Sequence, residues 1–412
     1  MSRILDVDCC VAGGGPAGVM AGLLFARAGC STLVLEKHGD FLRDFRGDTV
    51  HPSTLEVMHE LGLLDSFLQR PHDRLSTLSG IFGGQRLDIT DFSSLNARCK
   101  FIAFMPQWHF LDFLTEKAGT LPTFSIEMRA QVTDLVEDGT GRICGVEATT
   151  PEGPLTVRSK LVIGADGRHS LARNKARLKV KDIGAPIDVL WFRIPREQTG
   201  GDEPLANTGK GHVLITINRG DYFQCAYVIP KGATERVKAA GIEAFRDTVT
   251  HTAPRLSPHI SSLKSFDEIS PLTVTIDRLE QWSRPGLVMI GDAAHAMSPI
   301  GGIGINLAVQ DAVAAANLLS GPLAEGTLAD SDLDKVQKRR MWPTKATQFA
   351  QVEAQNNIIA PLINDPQRLP APPLPLRIVA KVPWLQRRLA ALIGLGVRPE
   401  HVTSPQKYAM QT

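Results

Sequence analysis

The stretch from residue 7 to residue 36 places the tightest constraint on how this chain can fold. Val7 to Ala12 is a compact apolar run, Gly13-Gly-Gly-Pro-Ala-Gly18 follows, and a helical stretch continues to about Ala28. This order partitions into strand, glycine turn and helix, because glycine adopts the left-handed turn conformations that other residues resist. Ser31 to Leu35 is β-branched and apolar and ends at Glu36, which completes a βαβ unit. Gly13, Gly15 and Gly18 have GxGxxG spacing. The first permits a tight turn, the second lets the backbone approach a pyrophosphate, and the third allows close helix-to-strand packing, with phosphates at the helix N-terminus. The Glu36 carboxylate, at the end of the second strand, can accept both hydroxyls of a ribose and would repel a 2′-phosphate. FAD or NAD is therefore favoured over NADP at this turn.

The rest of the chain alternates between two textures. Helical spacing covers 51–64 and 106–118, short strands cover 125–136 and 143–149, and Leu161 to Gly164 is a buried strand running into Ala165-Asp-Gly167. From about 181 to 276 alternating runs separated by turn residues read as an antiparallel sheet inserted into the first domain. The parallel texture returns at Leu287 to Ile290, followed by an Ala-rich helix from Asn306 to Leu319 and a helical pattern over 331–359. Leu369 to Pro375 reads as an extended proline-rich linker and Trp384 to Leu395 as a basic amphipathic helix, for which packing against the body is expected over a membrane-surface role.

Composition excludes several classes. The 45 basic and 43 acidic residues leave a formal charge of +2, so no long-range field would draw the chain to nucleic acid. No uninterrupted apolar run approaches the ~20 residues that span a bilayer, so no integral membrane segment is expected. The first residues lack the features of a signal peptide, and cysteines 9, 10, 30, 99, 144 and 225 show no CxxC spacing. The expectation is a reduced cytoplasmic protein with no metal site.

A second constellation, GDAAHAMSPIGGIGIN over 291–306, puts an acid directly after a strand and glycines before a helix. The acid suits a sugar-like hydroxyl, and free backbone N–H groups suit negative charge. Together, GGGPAG with Glu36, the ADGRHS run at 165–170, and GDAAHAMSPIGGIGINLAVQD resemble the flavoprotein aromatic hydroxylases of the p-hydroxybenzoate hydroxylase type, in that family's order. The resemblance implies an α/β fold, with a Rossmann-like FAD-binding domain interleaved with a mainly antiparallel β-sheet substrate domain and a helical C-terminal tail. The FAD-binding unit is expected over 1–74, 100–180 and 277–359, the substrate unit over 75–99 and 181–276, and linker and tail over 360–412.

The same resemblance implies roles for particular residues. Gly13, Gly15, Gly18 and Glu36 would hold the ADP half of FAD. Arg46 and Gln107 would lie near the flavin, and Asp166 with Gly167 would support FAD and be associated with NAD(P)H use. Asp292 would bond the ribityl chain, Pro299 would lie beside the isoalloxazine, and the Gly301 and Gly302 backbone would face its N1 and O2 edge. NAD(P)H, a transient co-substrate with no Rossmann domain of its own, would reduce the flavin, and O2 would then form a C4a-hydroperoxide that hydroxylates a phenolic or polycyclic aromatic ring. Trp191, Arg193, His212, Tyr222, Gln224 and Tyr227 are nominated from the antiparallel sheet to line the substrate site. His295 is open to two roles, general base or packing, and packing is expected. Two other classes compete: a flavin-dependent reductase or dehydrogenase that does not use O2, and a non-enzymatic binding protein on the same fold.

Overall fold

A computed structural model describes residues 3–42, 49–197, 205–365 and 371–410. The first strand, β1 (Arg3–Ala12), pairs in parallel with Gly153–Gly164 on one side and with β2 (Thr32–Glu36) on the other. Leu287–Met289 and Phe124–Met128 extend the parallel sheet outward, and Ser283–Arg284 closes one edge antiparallel. The carboxyl half of β1 and all of β2 are buried, as a parallel strand covered on both faces must be, which explains the apolar runs Cys9–Ala12 and Leu33–Leu35.

Helix α1 (Pro16–Arg27) and the long helix Gly304–Ala324 pack together on one face of this sheet, with Gln107–Ala118 beside them. Met20, Leu23, Leu24 and Phe25 are fully buried there, each contributing on the order of 1.5–3 kcal/mol. Among the described residues only the segment Ile300–Ala324 is long and apolar enough to cross a bilayer. It is 78% buried, and its apolarity serves the core.

One strand is longer than expected. Gly153–Gly164 runs for 12 residues, where the sequence suggests four, because its first part alternates in burial while pairing with Ile143–Thr150, and its last part turns wholly inward. The half-exposed pattern resembles a hairpin arm and the buried pattern a separate strand; the backbone joins them.

The second sheet has the order Ser270–Thr273, Ile187–Pro195, Tyr222–Pro230, His212–Asn218, Leu205–Gly209, Thr77–Phe82, Gln85–Asp91. Every pairing is antiparallel except that between Leu205–Gly209 and Thr77–Phe82. One face is capped by Ile242–Thr252 and the turns of Pro254–Ser262, burying Leu190, Phe192, Phe223 and Phe245. The opposite face, with Val189, Val213 and Ala226, packs against Ile300, Ile358 and Leu362.

The C-terminal region is helical: Asp330–Ala354, then Leu374–Lys381 and Pro383–Gly394, the last two packed on the edge strand Gln85–Asp91. Part of the expected proline-rich linker is thus helix. Pro373 caps it and Pro375 sits in its first turn, where the missing N–H costs nothing. The following segment returns to the first domain, where the N–H groups of Lys407 and Tyr408 donate to the Arg27 carbonyl and that of Val402 to Glu60.

Candidate functional site

Three strand ends define the site. Ala12 is in register with Gly164, and Gly164 with Met289, so the turns following them lie side by side at the carboxyl edge of the parallel sheet. This is where open α/β sheets bind ligands. Gly13 has φ +108°, and a Cβ there would collide with the Ala165 carbonyl; a Cβ on Gly18 would collide with the carbonyl of Gly13. Gly15 differs, because nothing lies within 4 Å of the place its Cβ would occupy. The helix it begins has neither a capping side chain nor an acid in its first turn, so no side chain satisfies its first N–H groups. These features fit a pyrophosphate.

Around this turn the acids are held in place. Glu36 is buried, its Oε2 accepting the Gly14 N–H at 2.9 Å and its Oε1 the His38 N–H at 2.9 Å. Asp166 accepts the Ala172 N–H at 3.0 Å through Oδ2, whereas its buried Oδ1 has no hydrogen-bond partner within the protein. An unpaired buried carboxylate oxygen calls for a donor, which a bound ligand or solvent supplies. Gly167 follows with φ +82°. Asp292, partly exposed, pairs with Arg168 at 3.4 Å, joining the second and third turns by a contact the motifs did not suggest.

The third turn leads into the long helix. Gly301 and Gly302 have φ of +79° and +63°, and Thr49 Oγ1 donates to the Gly302 carbonyl at 2.6 Å. A Cβ on Gly302 would collide with that threonine. The helix starts at Gly304 without a capping side chain, leaving its N–H groups available to negative charge next to Pro299, Gly301 and Gly302. Gln107 opens helix Gln107–Ala118 and is half-buried. Arg46 lies outside the described residues.

The pleat of the second sheet separates the six nominated substrate residues. Arg193 pairs with Gln224, Trp191 with Ala226 and Pro195 with Tyr222, which puts Trp191, Arg193, Tyr222 and Gln224 on the face shared with Ile300. The Arg193 guanidinium lies over the Tyr222 ring at 4.9 Å. His212 and Tyr227 face the other way, away from Ile300. They stack on each other at 4.3 Å beneath Ile242–Thr252, with His212 Nε2 2.8 Å from Thr252 Oγ1. Burial lowers the His212 pKa to about 4 and raises that of the Tyr227 phenol. Alternate residues of a strand point to opposite faces, and nothing in their residue types revealed which face was which.

His295 takes the packing role. It is buried and hydrogen-bonded to Asp311, which also pairs with Arg340; Arg340 in turn reaches Glu400. Sequence reasoning passed over this buried charge network, although it left a trace: Asp311 is the single charged residue of Gly304–Ala324. Among the described residues no cluster of three His, Cys, Asp or Glu side chains could hold a metal ion, and the six cysteines are free.

Comparison with known proteins follows the geometry. Residues 6–350 match the family described as FAD binding domain. The chain is 32% identical over 350 residues to 6-methylpretetramide 4-monooxygenase of Streptomyces rimosus, spanning 84% of this chain and 82% of that protein. Its fold is similar to p-nitrophenol 4-monooxygenase PnpA from Pseudomonas putida DLL-E4, with TM-score 0.76, 19% identity, and coverage of 96% and 100% of the two chains. OxyS anhydrotetracycline hydroxylase from Streptomyces rimosus gives TM-score 0.72 at 25% identity, covering 96% of this chain and 77% of that one. The chain therefore belongs to the FAD-binding monooxygenase family. It is an FAD-dependent oxidoreductase of the monooxygenase class.

Proposed function

We propose that this enzyme hydroxylates a phenolic or polycyclic aromatic ring in the cytoplasm, converting Ar–H, O2, NAD(P)H and a proton to Ar–OH, NAD(P)+ and water. One observation carries the reading. The 299–302 turn, with its unsatisfied helix N-terminus, packs through Ile300 against the apolar face of the second sheet, so an electron-accepting ring and a flat apolar substrate can meet there. The named substrates of the relatives, tetracycline precursors and nitrophenols, support the aromatic class.

The residues divide the work. Gly15 and the first turn of α1 would receive the pyrophosphate of FAD, Glu36 the adenosine ribose, and Asp292 the ribityl hydroxyls, with Asp166 and Gly167 supporting them. FAD supplies the two-electron chemistry and the activation of oxygen. Backbone N–H groups of Gly301 and Gly304 would stabilise negative charge on the ring, because oriented dipoles in a dry site need no reorganisation, while the Gly302 N–H closes the turn by donating to the Pro299 carbonyl at 3.0 Å. Pro299 would shape the ring's edge. Trp191, Tyr222, Gln224 and Arg193 would orient the aromatic substrate, and the apolar sheet face would exclude water.

The test is NAD(P)H oxidation measured with and without O2 across an aromatic panel, with product mass read after labelling with heavy O2. Substrate-accelerated turnover with one labelled oxygen in the product is expected. Turnover of equal rate under argon would assign the protein to the reductases instead, and an apoprotein that takes up no FAD would support a binding protein.

A further inference from the structure

The C-terminal helices present a face that none of the described residues covers. Leu376 and Ala390 turn inward onto the edge strand Gln85–Asp91 and its surroundings, while Leu374, Ile378, Trp384 and Leu392 are 66%, 47%, 63% and 37% exposed. Their spacing puts Leu374 and Ile378 on one face of the first helix and Trp384 and Leu392 on one face of the second. Scattered single apolar residues need no explanation, but four large ones on two adjoining helices form a patch that does.

The charges within this patch have a single sign. Arg377, Lys381, Arg387 and Arg388 are exposed and interleave with the apolar side chains, and the sequence holds no acidic residue from 371 to 399. None of the four cations makes an ion pair among the described residues. The acids of the strand beneath are engaged elsewhere, Asp88 by Ser79 and Arg86, and Asp91 by Ser93. Apolar side chains, an indole and unpaired cations on one helical face suit the boundary between lipid headgroups and acyl chains, where the apolar groups bury and the cations meet lipid phosphates.

A second copy of the chain fits less well. A two-fold contact would set this patch against itself and oppose cation to cation, with no acid on the helices themselves to relieve the repulsion. An anionic surface has the complementary charge.

We propose that the Leu374–Lys381 and Pro383–Gly394 helices dock the enzyme peripherally on an anionic lipid bilayer. The site stands close by: Ile393 packs against Met297, Ile303 and Leu307, and its carbonyl lies 2.8 Å from His51 Nδ1, beside the glycine turn. Docking would bring that turn near a reservoir in which apolar aromatic substrates concentrate.

The experiment is flotation of the FAD-loaded enzyme with vesicles of phosphatidylglycerol and phosphatidylcholine in equal parts, against vesicles of phosphatidylcholine alone. Binding to the mixed vesicles that is absent from the neutral ones and lost at high salt is expected. Arg387→Gln and Arg388→Gln should each weaken partitioning about fivefold, equivalent to ~1 kcal/mol per cation, with FAD absorbance unchanged as evidence of folding. Trp384→Ser should weaken it further, and the wild-type tryptophan emission should shift to the blue on binding where that of the variant does not. Absence of flotation, or flotation unaltered in all three variants, would overturn the proposal. So would light scattering that showed a dimer strengthened by the arginine substitutions, which would assign the face to self-association.

Discussion

Nε2 of His295 lies 2.6 Å from Oδ2 of Asp311, and the same carboxylate oxygen accepts the Gly291 N–H at 3.0 Å. The middle of the core helix thereby fastens the turn that carries Asp292. The other oxygen of Asp311 receives Arg340 Nε at 2.8 Å, and Arg340 Nη1 reaches Glu400 at 3.2 Å, so the C-terminal segment is tied to the same point. Burial pushes the Asp311 carboxyl upward, but the charges and hydrogen bonds of His295 and Arg340 outweigh it and hold the pKa below the usual carboxylate range.

Replacing Asp311 by Ala should therefore cost about 3–5 kcal/mol, because it breaks a buried ion pair, taking from Arg340 one of its two carboxylate partners and from His295 its hydrogen bond. Urea unfolding checks the size. The pH dependence has a defined sign. A depressed folded-state pKa stabilises above the unfolded value of about 4 and loses that contribution as pH falls through the folded value. The gap between wild type and Asp311→Ala should hold at neutral pH and narrow only in stronger acid.

Asp292→Ala should leave a folded protein that retains FAD poorly. The loss of a charge-assisted hydrogen bond is worth roughly 1.5–3 kcal/mol, or about ten- to a hundredfold in affinity. Visible absorbance after gel filtration, beside an unchanged far-ultraviolet dichroism spectrum, measures both. Full retention of FAD would remove Asp292 from the ribityl contact.

Gly15→Ala and Gly18→Ala should part company. The added methyl at residue 15 enters open space, so folding should survive while FAD affinity falls. At residue 18 it meets the Gly13 carbonyl, so the turn itself should fail and soluble yield should drop. Thermal unfolding of the two apoproteins distinguishes a blocked ligand from a broken turn.

Acid should weaken the fold through two histidines. Burial lowers His51 and His212 to about 4 from an ordinary value near 6.5. The unfolded chain takes up protons first, so stability is greatest above about pH 6.5 and falls as pH drops toward 4, by on the order of 2–3 kcal/mol per histidine. His212→Gln should flatten this slope in urea titrations between those limits, and leave the ratio of NAD(P)H to aromatic substrate consumption unchanged, since His212 faces away from Ile300.

The glycine turn and its flanking strands were legible because they obey local rules: periodicity, turn geometry, and an acid at a strand end. The third motif was legible for the same reason. What escaped depended on partners distant in sequence. Tyr227 and Trp191 belong to equally apolar strands, and only register with neighbouring strands assigns them to opposite faces. Arg168 and Asp292 meet because two strands are adjacent in space, and Glu400 finds Arg340 only after the chain has turned back. The helix at Leu374 was masked by prolines whose effect depends on whether they stand in a first turn or an interior.

The order of strands also bears on how the molecule can be divided. Leu205–Gly209 borrows its neighbour from Thr77–Phe82, and Leu287–Met289 borrows its own from Gly153–Gly164, so the second sheet is nested within the span of the first. No single cut yields two fragments that each own a complete sheet. A protease nick, a split reporter or a recombination crossover placed between Glu36 and Leu287 would leave at least one half with an open edge, which ties the two sheets together in expression and unfolding.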